Sequence, residues 1–94
     1  MATVYILFSE SIDRYYIGSC EQLKIRLNQH KNNYYKSSFT KRATDWKVFF
    51  LIENLKYQQS RNIEKHIKKM KSKSYILNLK KYPDITKKLL VKYS

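Results

Sequence analysis

The sequence predicts an α+β (mixed α/β) domain, in which helices flank a small central three-stranded, mostly antiparallel sheet. Three runs of apolar, β-branched and aromatic residues predict the strands, and stretches with apolar residues three and four apart predict the helices. Their order along the chain is β-β-α-β-α-α-α. A length of 94 residues allows one domain, which we expect to span residues 1–94.

The strands are predicted from composition and from the turns between them. Residues 3–8 (TVYILF) are apolar throughout, which is typical of a strand buried on both faces. Residues 15–18 (YYIG) predict the second strand of a hairpin, and residues 46–53 (WKVFFLIE) predict the third strand. Gly18 is the only glycine, and we expect it to serve either a positive φ or the close approach of another group.

The first helix is predicted to begin directly after the hairpin. Ser19 is expected to act as its N-cap, because serine oxygens satisfy the first backbone amides of a helix. Arg26 and His30 lie four residues apart and therefore share one polar face of this helix. Residues 31–45 are polar and basic, and we interpret them as a loop.

The part of the chain that follows the third strand is predicted to be helical. Residues 57–72 form an amphipathic stretch, with Ile63, Ile67 and Met70 in its core stripe. A proline then separates two short segments, since the residue before proline disfavours the helical conformation. These two segments are predicted as short helices at residues 74–81 and 84–93.

The net charge of +13, from 20 basic and 7 acidic residues, predicts a polyanionic partner. Nucleic acid is the first candidate for that partner. The alternative is that the excess of lysine, together with many Asn, Ile and Tyr residues, reflects only an AT-rich genome. Charge therefore points to a class of partner and says nothing about the fold.

The single cysteine, Cys20, excludes an intramolecular disulfide. Together with His30 and His66 it cannot supply the four ligands of a structural zinc site. No apolar run approaches the ~20 residues that a membrane-spanning helix needs, and no signal-peptide pattern is seen. We therefore expect a cytoplasmic protein that makes no membrane contact.

Several polar side chains are candidates for chemistry, although each has an ordinary explanation when it is taken alone. Tyr5 and Tyr16 also suit the positions of common strand aromatics. Glu64 falls beside the core stripe of the predicted helix, where it also suits a surface ion pair with Lys68, four residues later. No single one of these residues identifies a function.

The combination of residues is more informative. Two tyrosines lie on neighbouring strands, Arg26 and His30 share a helix face, and Glu64 lies on a basic helix. A carboxylate can hold a hard divalent cation, and a cationic side chain can steady a phosphate as negative charge develops on it. A hydroxyl or an imidazole can handle the proton of an attacking water. Phosphodiester hydrolysis requires these groups.

Five segments of the chain resemble, in the same order, the motifs of the GIY-YIG nucleases. Residues 3–5 (TVY) stand where the family carries its first triplet, and residues 16–18 (YIG) match the second triplet. Residues 18–30 resemble the family's helix with Arg and His, and residues 37–46 are similar to the loop before the third strand of small single-domain members. Residues 60–69 resemble the helix with the metal-binding Glu. The likeness runs from about residue 3 to residue 80, and the first triplet keeps only its tyrosine.

The resemblance implies a metal-dependent endonuclease that hydrolyses phosphodiester bonds with one Mg²⁺ or Mn²⁺ ion. It implies that Glu64 is the sole protein ligand of that ion. Tyr16 or Tyr5 would orient or deprotonate the attacking water. Arg26 would contact the scissile phosphate, and His30 would position the tyrosine or the water, or pass on its proton.

The resemblance also implies that DNA is the partner, and Lys41, Arg42 and Lys68 are candidates for contacts to its backbone phosphates. We expect structure-specific or weakly sequence-specific nicking, with single-stranded and branched DNA among the candidate substrates. Two alternatives stay open: a catalytically silent nucleic-acid-binding protein on the same fold, and a basic scaffold or RNA-binding protein that stacks bases on sheet aromatics. The pathway (repair, mobile element or restriction) and the use of an accessory protein or a homodimer are also left open.

Overall fold

The computed structural model describes residues 1–22 and 45–94, which form a three-stranded antiparallel sheet and three helices. The predicted α+β class is therefore confirmed. The predicted first helix falls within residues 23–44 and so lies outside the described residues. The strands are β1 (Ala2–Ser9), β2 (Arg14–Cys20) and β3 (Lys47–Leu55), and the helices are α1 (Tyr57–Met70), α2 (Lys73–Lys81) and α3 (Pro83–Lys92). None of these helices is long and apolar enough to cross a membrane.

The first strand, β1, is the centre of the sheet, whose strand order is β2-β1-β3. Both neighbours run antiparallel to it. Successive side chains of a strand point to opposite faces, and Val4 and Tyr5 are each only 1 % exposed. The prediction of a strand buried on both faces is confirmed, which explains why residues 3–8 contain no polar alternation.

One face of the sheet packs against the helices and forms the main hydrophobic core. Val4 and Ile6 of β1 meet Ile63 and Ile67 of α1 there, and all four are buried. Full burial of each such side chain contributes about 1.5–3 kcal/mol relative to exposure. Met70 was predicted to continue this core stripe, and that prediction is wrong. Met70 is 45 % exposed, and it is the last residue of α1.

The prediction that Ser19 caps a helix is also wrong. β2 continues to Cys20, and Ser19 pairs with Val4 while Cys20 pairs with Thr3. The central strand begins at Ala2, so Thr3 and Val4 are present as pairing partners for these two additional residues. Pairing along the sheet therefore replaces the local capping interaction that the sequence suggested.

Gly18 satisfies one of the two requirements predicted for it. It has no positive φ. Its partner in the sheet is Tyr5, whose ring lies directly over it, and a Cβ added at Gly18 would stand 2.5 Å from both Cζ and Oη of Tyr5. The close approach of the Tyr5 ring therefore explains why glycine is needed at this position.

The start of β3 is fastened to the turn between β1 and β2 by the carboxylate of Asp45. This carboxylate accepts hydrogen bonds from the Ser9 hydroxyl at 2.6 Å, the Ser11 amide at 3.0 Å and the Ser11 hydroxyl at 2.9 Å. The bond from Ser9, followed by that from the Ser11 amide, lowers the pKa of Asp45 to about 2. The ionised form of Asp45 is thus the form that the fold prefers.

We expect Asp45→Asn to lower the melting temperature, and the loss to depend on pH. Because the pKa of Asp45 is lowered from 3.8 to about 2 by folding, its contribution is complete above about pH 4 and disappears as the pH falls towards 2. The gap in melting temperature between wild type and mutant should therefore be constant near neutral pH and close in acid. Glu10→Gln, in the same turn, is the matched control. A gap that stays equally wide in acid would contradict the assignment.

Candidate active site

Glu64 is held between α1 and the edge strand β2. Its side chain is 16 % exposed, and both of its oxygens have partners. Oε1 accepts a hydrogen bond from the Ser19 hydroxyl of β2, and Oε2 accepts one from Lys68 Nζ at 2.6 Å. The predicted pair with Lys68 is therefore present, and it is joined by a second contact, to the sheet, that the sequence did not suggest.

The two predicted tyrosines lie together, on the face of the sheet that points away from α1. Tyr5 is buried over Gly18, and Tyr16 is half-buried with its ring centroid 6.3 Å from that of Tyr5. On its other side, the Tyr16 ring makes an edge contact with Trp46 at 6.4 Å. The two rings thus form a small aromatic cluster that ends at the edge strand.

The tyrosine cluster and Glu64 meet β2 at consecutive residues. Gly18 faces the tyrosines, and Ser19 faces α1, because neighbouring residues of a strand point to opposite sides. The structure therefore brings Tyr5 together with Tyr16, and Glu64 together with Lys68. Each residue of the dipeptide Gly18–Ser19 therefore contacts one member of one pair, Tyr5 and Glu64 respectively.

One groove borders the Glu64 carboxylate and a second lies beside its hydrogen-bond partner Ser19, and both are lined by residues that the sequence analysis did not single out. One, of about 490 Å³, follows the exposed face of α1 and includes Arg61 and Lys65 beside Glu64. The other, of about 270 Å³, lies between the end of β2 and the start of α1, and Tyr57 and Arg61 line it as well. Their spacing is the sequence signal that could have identified them. Tyr57, Arg61 and Glu64 are four and three residues apart, which places them on one face of a helix.

A divalent cation fits the donor set around Glu64 on one condition. Among residues 1–22 and 45–94 there is no group of three or more His, Cys, Asp or Glu side chains that could hold a metal. One carboxylate can suffice for magnesium, which keeps several of its waters. The Lys68 ammonium contacts Oε2, an oxygen that a metal ion would also use, and the Lys68 side chain is 50 % exposed. A metal therefore fits once Lys68 moves away.

Four of the predicted site residues, Arg26, His30, Lys41 and Arg42, lie outside the described residues. The helix face shared by the Arg and the His, and the basic loop, therefore stay predictions. Tyr5, Tyr16, Glu64 and Lys68 are the members of the predicted set that the structure describes.

The chain matches the GIY-YIG catalytic domain over residues 1–81, which include the whole sheet, α1 and α2. Comparison with curated proteins and with solved structures gives no match. Domains of this kind are typically endonucleases, generally depend on a divalent metal and have DNA as their substrate. Because the match covers most of the chain, from β1 to the end of α2, the protein belongs to the GIY-YIG family and has a nuclease-type function.

Proposed function

We propose that the protein is a metal-dependent endonuclease that nicks DNA, with weak sequence preference or with recognition of single-stranded or branched structure. The observation that carries the proposal is the Glu64 carboxylate, which is largely covered, hydrogen-bonded to the sheet and bordered by a basic groove. Carboxylate oxygens are the ligands that Mg²⁺ prefers. An ordinary surface ion pair requires neither this burial nor the hydrogen bond from Ser19.

The comparison with an ordinary surface pair supports the metal-binding role. An exposed Glu-Lys pair one helical turn apart contributes about 0.3–0.5 kcal/mol and needs no third group. Glu64 instead loses most of its solvent contact and accepts a hydrogen bond from Ser19, which is 45 residues away in the sequence. A carboxylate fixed from two elements is already oriented before a ligand arrives, which is useful for binding a cation.

In the proposed reaction, Glu64 holds Mg²⁺ or Mn²⁺. The chemistry that such an ion would supply at Glu64 is positive charge against the scissile phosphate and activation of water. Lys68 leaves Oε2 and becomes available to a phosphate, and Arg61 adds a further positive charge at the same groove. Both cations then oppose the charge that develops on the phosphate during attack.

Of the two tyrosines, we assign the contact with the attacking water to Tyr16. Tyr5 is 1 % exposed and its ring packs on Gly18, so it is suited to positioning the strand. Tyr16 is half-buried and therefore more accessible. A free phenol has a pKa of about 10, so a tyrosine that takes a proton needs positive charge close by. We propose that this charge comes from Arg26 and the metal.

The remaining predicted residues keep the roles that the family resemblance implies. We propose that Arg26 contacts the scissile phosphate and that His30 positions water or passes on its proton. Lys41 and Arg42 are proposed to contact backbone phosphates away from the reacting one. Each role is compatible with the net charge of +13, which favours binding to a polyanion.

A catalytically silent nucleic-acid-binding protein is the second candidate, and one observation favours it. Lys68 Nζ donates a hydrogen bond to Glu64 Oε2 and forms an ion pair with it. If that ion pair is permanent, Glu64 is structural, and the basic groove beside it binds nucleic acid without cutting it. Substitution of Glu64 by glutamine separates the two candidates.

Glu64→Gln should abolish cleavage while leaving DNA binding intact. The amide keeps the shape and can still accept the Ser19 hydrogen bond, but it lacks the charge that the cation needs. We expect nicking to fall about a hundredfold or more at every Mg²⁺ concentration. Binding to the same DNA should be unchanged or tighter, because a negative charge near the phosphates is gone.

The matched control is Glu53→Gln, which removes an equal charge from an exposed position on β3. It should leave nicking unchanged. Full activity of Glu64→Gln at saturating Mg²⁺ would exclude Glu64 as the metal ligand and favour the silent DNA-binding protein.

Lys68→Met tests the competition between lysine and metal for Glu64 directly. Without the ammonium on Oε2, Mn²⁺ should bind about two- to fivefold more tightly in a calorimetric titration without DNA, as expected for the loss of an exposed competing pair. Lys87→Met removes the same charge from an exposed position on α3 and serves as control. Equal Mn²⁺ affinity in both mutants would show that Lys68 does not compete.

DNA affinity should depend steeply on salt and little on sequence. Each neutralised phosphate contributes a slope of about −0.9 to log K against log salt on duplex DNA. We expect affinity to fall at least about tenfold between roughly 50 and 200 mM salt, because several basic side chains surround the site. Fluorescence anisotropy with two unrelated duplexes provides the measurement, and affinity that is flat with salt would contradict the proposal.

A further inference from the structure

A second basic groove, of about 670 Å³, lies between α1 and the end of α3, on the side of α1 away from Glu64. His66 is two residues beyond Glu64, which places it about 200° further around the helix axis. Lys65, Lys69 and Lys92 line this groove together with His66 and Tyr93. The residues that line it include no acidic side chain, so the groove is an uncompensated positive site on a part of the protein that the proposed reaction does not use.

The imidazole of His66 is fixed in this groove by aromatic neighbours. Its Nδ1 lies 2.9 Å from the Tyr93 hydroxyl, and the two rings make an edge contact at 5.7 Å. The ring of Tyr75 lies at 6.0 Å from the imidazole. Within the described residues, Nε2 makes no hydrogen bond, so this nitrogen is the one available to a ligand in the groove.

The lysines of the groove are not neutralised by neighbours. The two ion pairs among residues 1–22 and 45–94 involve Lys68 and Lys73, and neither of these lines the groove. Burial, followed by the charges of Lys92 and Lys69, lowers the pKa of His66, so the positive charges of the groove are felt at the imidazole. An anion placed there would relieve that repulsion.

We propose that this groove binds a second backbone phosphate of the nucleic acid held at Glu64. In this proposal Lys69 and Lys92 supply the charge and His66 donates a hydrogen bond from Nε2. The proposal rests on the DNA binding argued above but not on cleavage. Lys65 lines both this groove and the one beside Glu64, so the two grooves adjoin and a strand that leaves the reacting site can continue into the second.

The width of α1 suits two phosphates of one strand that are a few nucleotides apart. An α-helix with its side chains is about 10–12 Å across. Along B-DNA one strand carries a phosphate about every 3.4 Å of rise along the axis, so this width corresponds to a rise of roughly three nucleotides. Around His66, Lys65 and Lys69 come from α1, Tyr75 comes from α2, and Lys92 and Tyr93 come from the end of the chain.

The test compares two double mutants in the Glu64→Gln background, without metal, so that binding is measured apart from cleavage. Lys69→Gln/Lys92→Gln removes two charges from the groove, and Lys81→Gln/Lys87→Gln removes two exposed charges elsewhere on α2 and α3. We expect the groove mutant to bind a labelled duplex about tenfold more weakly, with its salt slope reduced by about 0.9 for one lost phosphate. The control should lose no more than about threefold, and its slope should be unchanged. Melting temperatures of all proteins confirm folding.

The second measurement follows the imidazole of His66 by NMR during titration with the duplex and, separately, with inorganic phosphate. Its signals should shift with DNA, because the proposed phosphate lies beside Nε2 of the imidazole. Equal losses of affinity in the two double mutants, or a His66 signal that responds to inorganic phosphate and not to DNA, would overturn the proposal. Normal DNA binding by the groove mutant overturns this inference alone, whereas failure of every protein to bind DNA overturns the proposed function as well.

Discussion

The described structure depends on β1 being paired along both edges and buried on both faces. Its hydrogen bonds to β2 and β3 fix the sheet, and its alternating side chains serve two different surfaces. Val4 and Ile6 enter the core with the helices, while Tyr5 lies on the opposite face. The position of β2 relative to β1 therefore decides which residues of the edge strand face the tyrosines and which face α1. A shift of one residue would exchange the two sets.

The candidate site lies where that edge strand meets the helix, and its polar groups are satisfied locally. A carboxylate that is 16 % exposed costs free energy unless its oxygens are hydrogen-bonded. Ser19 and Lys68 supply those bonds from two different elements. The same arrangement that stabilises Glu64 in the free protein also orients it. On the proposed function, a metal would replace Lys68, whose side chain is 50 % exposed, and Ser19 would keep the carboxylate in position.

Local patterns in the sequence predicted the parts of the structure that depend on local interactions. The apolar runs located all three strands to within about two residues at each end, and the four-residue spacing of Glu64 and Lys68 predicted their ion pair. Ser19 shows where this reasoning fails. A serine before a polar stretch suits a helix cap, but its pairing with Val4 is a contact across the sheet that no local pattern encodes.

The contact between Ser19 and Glu64 could not be predicted for the same reason. It joins residues 45 positions apart, and it follows from the packing of α1 on the sheet rather than from either segment alone. The fold class depended on element order, which the sequence reveals, whereas the surroundings of the carboxylate depended on tertiary contacts. Gly18 is an intermediate case, because its rarity in the chain indicated a backbone requirement without identifying the Tyr5 ring as its cause.

The rigidity of α1 connects the proposed chemistry with the proposed weak sequence preference. Glu64 and His66 lie on different sides of one helix, so their separation is fixed by helix geometry. A nucleic acid that touches both sides is selected by the spacing and direction of its phosphates, and phosphate contacts carry no direct information about base identity. Specificity on this surface would therefore follow from the shape of the backbone. A strand that bends or separates could bring its phosphates into register with both grooves, which is a physical reason to expect branched or single-stranded DNA among the preferred substrates.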